Sequence, residues 1–288
     1  MKLPISVIVL TYNEEMNIES CLENIRNWAS EIFIVDSYST DKTLEIAERY
    51  DIKISQHPFE NQAQQFNWAL DNLGIKNDWI LRLDADEQLT EELKNEITEE
   101  LGKVTPEISG FLMKRRVYFM GRWIKHGGYY PAWFLRLFRK NKAKSELKTM
   151  DEHIILLEGK SKKLKNDFID DNKKDLTCWI NKNNNYASRE ANETTPTKGE
   201  LNTNTRSYEK LGNQQVARKR WFKEKVYYRL PFFSRALLYF IYRYFLMLGF
   251  IDGREGLIFH FLHGFWYRFL IDAKICEIKK RSQKNGRL

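Results

Sequence analysis

Apolar residues along the chain fall into two alternating rhythms. Ile5-Ser-Val-Ile-Val-Leu10 and Glu31-Ile-Phe-Ile-Val35 are short, nearly continuous apolar runs, the mark of strands covered on both faces. The first leads through Thr11-Tyr-Asn-Glu-Glu15 into an amphipathic helix carrying Ile18, Leu22 and Ile25, with Asn13 read as its cap. The second leads through Asp36-Ser-Tyr-Ser-Thr-Asp41 into a helix carrying Leu44, Ile46 and Ala47. A short strand at Ile52 to Ile54 and a helix near Gln62 to Leu73 precede a third apolar run, Trp79 to Leu83. Strand-helix alternation of this kind predicts an α/β fold with a mostly parallel, Rossmann-like sheet flanked by helices and joined by right-handed crossovers. Ligands of such sheets settle beyond the carboxyl ends of the strands, where Thr11 to Glu14, Asp36 and Asp84 to Asp86 all fall.

The third run ends in Asp84-Ala-Asp86-Glu87. In an extended backbone the side chains at 84 and 86 project to one side, so the two aspartates could present hard oxygen ligands to one Mg²⁺ or Mn²⁺ ion and neutralise a departing diphosphate. The competing reading has Asp86 or Glu87 opening a helix that begins near Thr90. Ser109 to Phe119 is expected to be a strand, followed by a glycine-shaped loop from Gly121 to Pro131. Trp123, Tyr129, Tyr130 and Trp133 either stack on sugar faces or pack beneath the sheet. Phe134 to Arg139 reads as a further strand in which at least one of Arg136 and Arg139 reaches phosphate while the other is solvated, Arg136 being the weaker candidate for catalysis and a reasonable one for structure. Met150-Asp151-Glu152-His153 places three titratable groups just ahead of the apolar run at Ile154 to Leu157.

These motifs, in this order, resemble the family 2 glycosyltransferases, inverting enzymes of GT-A fold that use nucleotide sugars; the resemblance is carried by the first half of the chain. It implies that Thr11, Tyr12 and Glu14 line the nucleotide pocket, that Asp36 contacts the base, and that Asp84 and Asp86 bracket the metal and the diphosphate. UDP is the expected nucleotide, with GDP and dTDP left open. An aromatic ring at Tyr12 suits base stacking and a carboxylate at Asp36 suits a base N–H, while the plainer alternatives are a sheet-edge cover for Tyr12 and a helix cap for Asp36 or Asp41. Inversion needs a base to take the acceptor hydroxyl proton. The family supplies it from an acidic dipeptide, matched here by Asp151-Glu152 in the reverse of the commoner order. Asp151 is the favoured base, with Glu152 or His153 orienting it or touching the metal.

Length and composition agree with one catalytic domain plus an appendage: 288 residues, 42% hydrophobic. The expected organisation is a GT-A domain over 1–193 (nucleotide half 1–101, acceptor half 102–193), a flexible loop over 194–207 and helices over 208–288. Asp167 onward reads as a turn into a helix running toward Glu193. Cys21, Cys178 and Cys276 are too scattered for a zinc site or a disulfide framework, and the run at Ile5 to Leu10 is too short for a secretion signal. There is no phosphate-binding GxxxxGK[ST] loop.

The tail is basic and then very apolar, from Ala217 to Ile251. Arg235 and Arg243 would each cost about 2.5–3.5 kcal/mol near a bilayer centre, which argues against a simple crossing and for a helix lying in the interface. From Leu257 to Ile275, His260, His263, Arg268 and Asp272 fall on one half of a helix and Phe261, Phe265, Trp266 and Phe269 on the other. The net charge of +8 and a pI near 9.2 suit an anionic membrane face, and no nucleic-acid-binding pattern accompanies them. Packing on the catalytic domain or a dimer seam would use the same helices, so the oligomeric state stays open. The expectation is a cytoplasmic glycosyltransferase, peripheral on the inner face of the cell membrane, acting on a lipid-linked or lipopolysaccharide-type acceptor. A nucleotidyltransferase would share the sheet but should carry a glycine-rich loop, absent from Ile5 to Glu15. A non-catalytic scaffold of the same fold would tolerate loss of Asp84.

Overall fold

The computed structural model describes residues 2–147, 152–194 and 214–285. Strands and helices alternate as β1 (Leu3–Thr11), α1 (Ile18–Ile25), β2 (Ala29–Asp36), α2 (Thr43–Ala47), β3 (Lys53–Gln56), α3 (Gln62–Asn72), β4 (Trp79–Asp84), β5 (Glu87–Leu89) and α4 (Glu91–Gly102). There follow β6 (Ile108–Phe119), β7 (Arg122–Trp123), β8 (Trp133–Arg139), β9 (Ala143–Ser145), β10 (Ile154–Leu156) and β11 (Lys160–Asp171). Helices close the chain: α5 (Leu176–Thr194), α6 (Gln214–Lys225), α7 (Ser234–Ile241), α8 (Gly253–Phe259) and α9 (Tyr267–Asn285).

The described parts of Met1–Tyr118 and Pro131–Lys173 form one compact unit; those of Phe119–Tyr130, Lys174–Tyr208 and Gln215–Leu288 form another. In the first, the main sheet runs in the order β3-β2-β1-β4-β8-β6-β11-β5. The β3-β2-β1-β4 portion is parallel, as the alternation predicts. Antiparallel β8 joins β4 to β6, which pairs in parallel with β11. Both faces are covered because β1 is apolar on both: Val7 and Val9 pack with Ile18, Leu22 and Ile25 of α1, whereas Ile8 packs with Phe66 and Ala69 of α3. The mixed α/β sheet flanked by helices and the C-terminal helices match the expected fold class.

Local details depart from expectation. Asn17, not Asn13, precedes α1; Asn13 takes a positive φ of 53° and its side chain accepts from the Thr40 N–H at 2.8 Å. Thr90 caps α4 by accepting from Leu93 N–H, so neither Asp86 nor Glu87 has that duty. Asp167 to Asp171 is not a turn but the end of β11, whose Phe168–Asp170 stretch pairs with both β6 and β5, and the helix starts only at Leu176. The expected flexible loop at 194–207 lies outside the described residues but for Thr194, the last residue of α5.

In the second unit polar side chains share the interior with apolar ones. His260 and Asp272 are fully buried and Arg268 is largely so beside Phe259, Tyr267, Ile271 and Ile275, while Phe261 and Phe269 are exposed. The single helix expected over 257–275 is α8, a π-helical turn from His260 to Trp266, and α9. Gly127 and Gly249 let the backbone close on the His260 ring: a Cβ on either would come within 2.0 Å and 2.6 Å of ring atoms. Other buried polar groups of this unit are bonded to one another. Arg235 forms a two-pronged bond to Asp272 (Nε to Oδ1, 2.9 Å), and Glu190 accepts from Tyr267 (2.9 Å) and Arg268 (3.3 Å).

Candidate active site

Register brings the polar strand ends together. Leu10 of β1 lies beside Asp84 of β4, and Thr11 beside Asp36 of β2, so the loops after three adjacent parallel strands open at one edge of the sheet. The first two loops are laced to each other. Thr11 Oγ1 donates to Asp36 (2.9 Å), Asn13 N–H to Ser39 Oγ (2.8 Å), Glu14 N–H to Thr43 Oγ1 (2.7 Å) and Glu15 N–H to Asp41 (3.1 Å). Asp36 is completely buried and also accepts from Ser39 N–H (2.8 Å) and Gln56 (3.3 Å), so its carboxylate organises the loop. Asp41 accepts from Thr43 N–H at the start of α2 (2.9 Å), the capping alternative weighed for it. Tyr12 is 58% exposed on this edge, and an exposed aromatic side chain suits stacking on a flat ligand. Glu14 accepts from Asn17 Nδ2 at 2.7 Å.

The acidic strand end differs from the extended geometry expected. β4 stops at Asp84; Ala85 and Asp86 form a turn, because the Glu87 carboxylate folds back to accept the Asp84 N–H at 2.9 Å. Asp84 and Asp86 therefore owe their positions to a turn and not to strand alternation. Both stay half-buried, whereas Glu87 is 1% exposed. Asp86 is steadied by Asn172, whose Nδ2 donates to it at 2.8 Å, and by the Asp171 N–H on its carbonyl (3.0 Å). The buried Cys21 thiol is pushed well up by burial first, and then by the joint field of Glu87, Asp86, Asp84 and Glu14.

Two arginines complete the cluster. β4 and β8 pair as far as Leu81 beside Leu137, and the register of β8 with β6 slips at Arg136, so that Arg82 lies over the Phe66 ring and Arg136 over the Phe168 ring. Both are buried within apolar strands, at 4% and 6% exposure, and buried cations need anions. Asp84 supplies one, 3.4 Å from Arg82 and 3.3 Å from Arg136; Glu87 supplies the other, bonded directly to Arg136. Each arginine also keeps a buried Nε–H without an acceptor. Burial raises the Glu87 carboxyl against the pull of Arg136, while the carboxylates hold the Arg136 guanidinium firmly charged.

Glu152 joins this cluster from the other end of the sequence. With its amide oriented to satisfy both ends, Gln62 donates to Glu152 at 2.8 Å and accepts from Arg82 at 2.6 Å. Burial raises the Glu152 carboxyl, with Arg82 and His153 pulling it down and Asp84 pushing it up. Asp151 lies outside the described residues. His153 pairs with Glu146 (3.5 Å) and stacks parallel to Phe134. Of the loop aromatics, Trp123 packs edge-on against Tyr130, and Tyr129 bonds His263 beneath the Arg243 guanidinium. Sequence reading missed Arg82, Gln62 and Asn172; a charge inside Trp79-Ile-Leu-Arg-Leu was the available signal for the first, and none existed for the others.

The donor set suits a hard divalent cation. Mg²⁺ and Mn²⁺ take oxygen ligands, and such sites commonly use one or two carboxylates with substrate phosphates filling the rest. Asp84 and Asp86 offer two partly exposed carboxylates. Among the described residues no group of three or more His, Cys, Asp or Glu side chains is arranged to hold a metal, so phosphate oxygens would have to complete the shell.

Comparison with known proteins gives the family and the fold. A lipopolysaccharide core biosynthesis glycosyltransferase, LpsC, from Rhizobium meliloti is 33% identical over 168 residues, covering 55% of this chain and 59% of that protein. An uncharacterised glycosyltransferase of Rickettsia bellii is 43% identical over 93 residues, 32% of this chain and 31% of its own. The chain thus spans between about a third and three-fifths of these relatives. Among solved structures, the mannosyltransferase PcManGT from Pyrobaculum calidifontis, in complex with GDP-Man and Mn²⁺, shares the fold: TM-score 0.50 at 14% identity, covering 96% of this chain and 88% of that one. The model of glycosyl transferase family 2 matches residues 6–157, from within β1 to just past β10 and more than half of the sequence, and the chain belongs to that family.

Proposed function

We propose that this chain is an inverting, metal-assisted glycosyltransferase that moves a sugar from a nucleotide-diphosphate donor to a lipid-linked or lipopolysaccharide-type acceptor in cell-envelope glycan synthesis, at the inner face of the cell membrane. The observation that carries the reading is the cluster at the carboxyl end of β4, where Asp84 joins Arg82 to Arg136 and Gln62 joins Arg82 to Glu152. The similarity to LpsC supports the envelope setting, and the GDP-Man and Mn²⁺ bound to PcManGT support the donor class and the ion. A UDP-sugar is the first donor to test.

In this reading the exposed Tyr12 ring stacks on the base, while Thr11, Asp36 and Glu14 hold the loop that presents it. Arg82 and Arg136 fix the Asp84 carboxylate from two sides. An ion of Mg²⁺ or Mn²⁺ held by Asp84 and Asp86 would supply charge neutralisation to the leaving diphosphate. On the acceptor side a carboxylate takes the hydroxyl proton as oxygen attacks the anomeric carbon. The Asp151-Glu152 pair provides it, and burial raises the proton affinity of the Glu152 carboxyl, which strengthens it as a base.

Thermal shift against a panel of nucleotide sugars, with Mn²⁺ and with a chelator, tests the donor and the ion together, since a ligand stabilises the state it binds. Asp84→Asn keeps the shape and removes the charge. It should abolish the metal-dependent shift and lower transfer about 100-fold or more, as expected for several kcal/mol of lost charge stabilisation. An Asp84→Asn protein that transfers sugar at the wild-type rate would sink the proposal.

A further inference from the structure

The apolar surface of the C-terminal unit is arranged as a lipid-facing one. From Arg235 to Gly253 no charged side chain is exposed, yet Leu237, Leu238, Ile241, Phe245, Leu246 and Ile251 all are, Leu246 by 71%. The three charges in this stretch turn inward. Arg235, 2% exposed, is locked to Asp272; Asp252, 3% exposed, accepts from the His126 backbone N–H (2.8 Å) and ring; Arg243 bonds the Gly127 carbonyl and Tyr239 Oη (2.6 Å) with its guanidinium 3.9 Å over the Tyr129 ring. Charges of segments within lipid behave this way, facing the bundle interior, and the cost that argued against the bilayer is reduced when Arg235 is paired with Asp272 and Arg243 is turned inward onto a carbonyl, a hydroxyl and an aromatic ring. The same arrangement continues beyond the stretch, where His260 and Asp272 are inside and Leu257, Phe261 and Phe269 outside.

Length decides how the segment meets the membrane. The stretch from Ser234 to Leu246 is thirteen residues, roughly 20 Å of helix against a hydrocarbon core of about 30 Å. Among the described residues no single helix is long and apolar enough to cross. Ser234–Leu246 and Gly249–Gln283 satisfy length and composition only as a pair bent by 73°. The bend sits at Met247-Leu248, where Leu248 takes a positive φ of 60° and Gly249 packs on His260. Exposed basic residues flank the apolar stretch, Lys225 and Arg229 before it and Arg254 after it, where anionic headgroups would lie.

We infer that Leu237 to Ile251 is a wedge that enters one leaflet of an anionic bilayer and returns, anchoring the chain without crossing. This extends the membrane-face reading above by naming the segment and its mode of insertion, and needs nothing from the sugar-transfer chemistry. The test is flotation of the full chain with phosphatidylethanolamine–phosphatidylglycerol vesicles and with phosphatidylcholine vesicles, using wild type, Phe245→Glu/Leu246→Glu and Arg229→Glu/Arg254→Glu. Wild type should float with the anionic vesicles; the wedge variant should lose at least about tenfold in vesicle partitioning, with its far-UV circular dichroism and thermal unfolding unchanged. The charge variant should lose its preference for phosphatidylglycerol. If wild type floats and the wedge variant floats equally, the membrane reading survives and the wedge does not. If wild type fails to float, both fall. A wild-type dimer that the wedge variant converts to monomer, with no flotation by either, would assign the face to a second copy of this chain and overturn the inference.

Discussion

Replacing Arg136 by Met should destabilise the sheet unit by an amount that depends on pH. The Arg136 and Glu87 side chains are 7% and 2% exposed, so the substitution leaves a carboxyl out of water with the Asp84 N–H but without its cation. Removing one partner of such a buried pair costs about 3–5 kcal/mol. At about 2–4 °C per kcal/mol that lowers the midpoint of the corresponding unfolding transition by roughly 6–20 °C. The sign with pH follows from burial, which raises the Glu87 carboxyl above its ordinary value near 4.5. Without Arg136 the folded state holds Glu87 protonated to still higher pH. Below the wild-type value of about 8 both folded proteins keep Glu87 protonated and lose stability alike as pH rises from 4.5, so the pH-dependent part of the deficit opens only as pH rises through about 8 and beyond. Glu87→Gln/Arg136→Met removes both charges while the amide oxygen still accepts the Asp84 N–H, and it should recover most of the lost stability without recovering transfer, because Asp84 has lost one of its flanking cations. Thermal unfolding of wild type, both single variants and the double variant, at pH values about 2 units below and above the wild-type Glu87 value of about 8, measures the coupling directly. An Arg136→Met variant within about 1 kcal/mol of wild type at the higher pH, or a double variant no more stable than Arg136→Met, would refute the reasoning.

Two further outcomes come from titratable groups. Gln62→Leu deletes an N–H bond that favours the charged form of Glu152, so the acid limb of kcat/KM should move to higher pH with the plateau largely kept; a profile unmoved in Gln62→Leu together with an active Glu152→Gln would remove Glu152 from the role of base. His260 is fully buried, its ring nitrogens have no hydrogen-bond partner, and burial with the nearby Arg243 lowers it from 6.5 to about 4. Its contribution is fully present above pH 6.5 and is lost as pH falls from there toward 4, at most about 3 kcal/mol. His260→Leu should flatten that part of the stability–pH curve for the helical unit, and equal acid sensitivity in wild type and variant would contradict it.

The sequence carries the fold where local pattern is enough. Ile5 to Leu10, Ile32 to Val35 and Trp79 to Leu83 are apolar on both faces because the sheet there is covered on both faces, and their strand ends share an edge because parallel neighbours in register must end together. What stayed hidden depends on partners far along the chain. The Ala85–Asp86 turn is closed by the Glu87 side chain, and Glu87 can be buried there only because Arg136 arrives from β8, forty-nine positions later. The helix over 257–275 shows a related limit: periodicity correctly separates a polar from an apolar half, but only the buried partners Gly127, Asp252, Arg235 and Glu190 determine that the polar half faces inward. Leu81-Arg82-Leu83 and Leu135-Arg136-Leu137 join the two kinds of information. A lone cation in an apolar strand calls for an anion, two of them on adjacent strands call for more than one, and the carboxylates that answer are those at the end of β4. The architecture that buries these arginines is thus the same one that concentrates negative charge at the sheet edge, which ties the stability of this unit to the chemistry proposed for it.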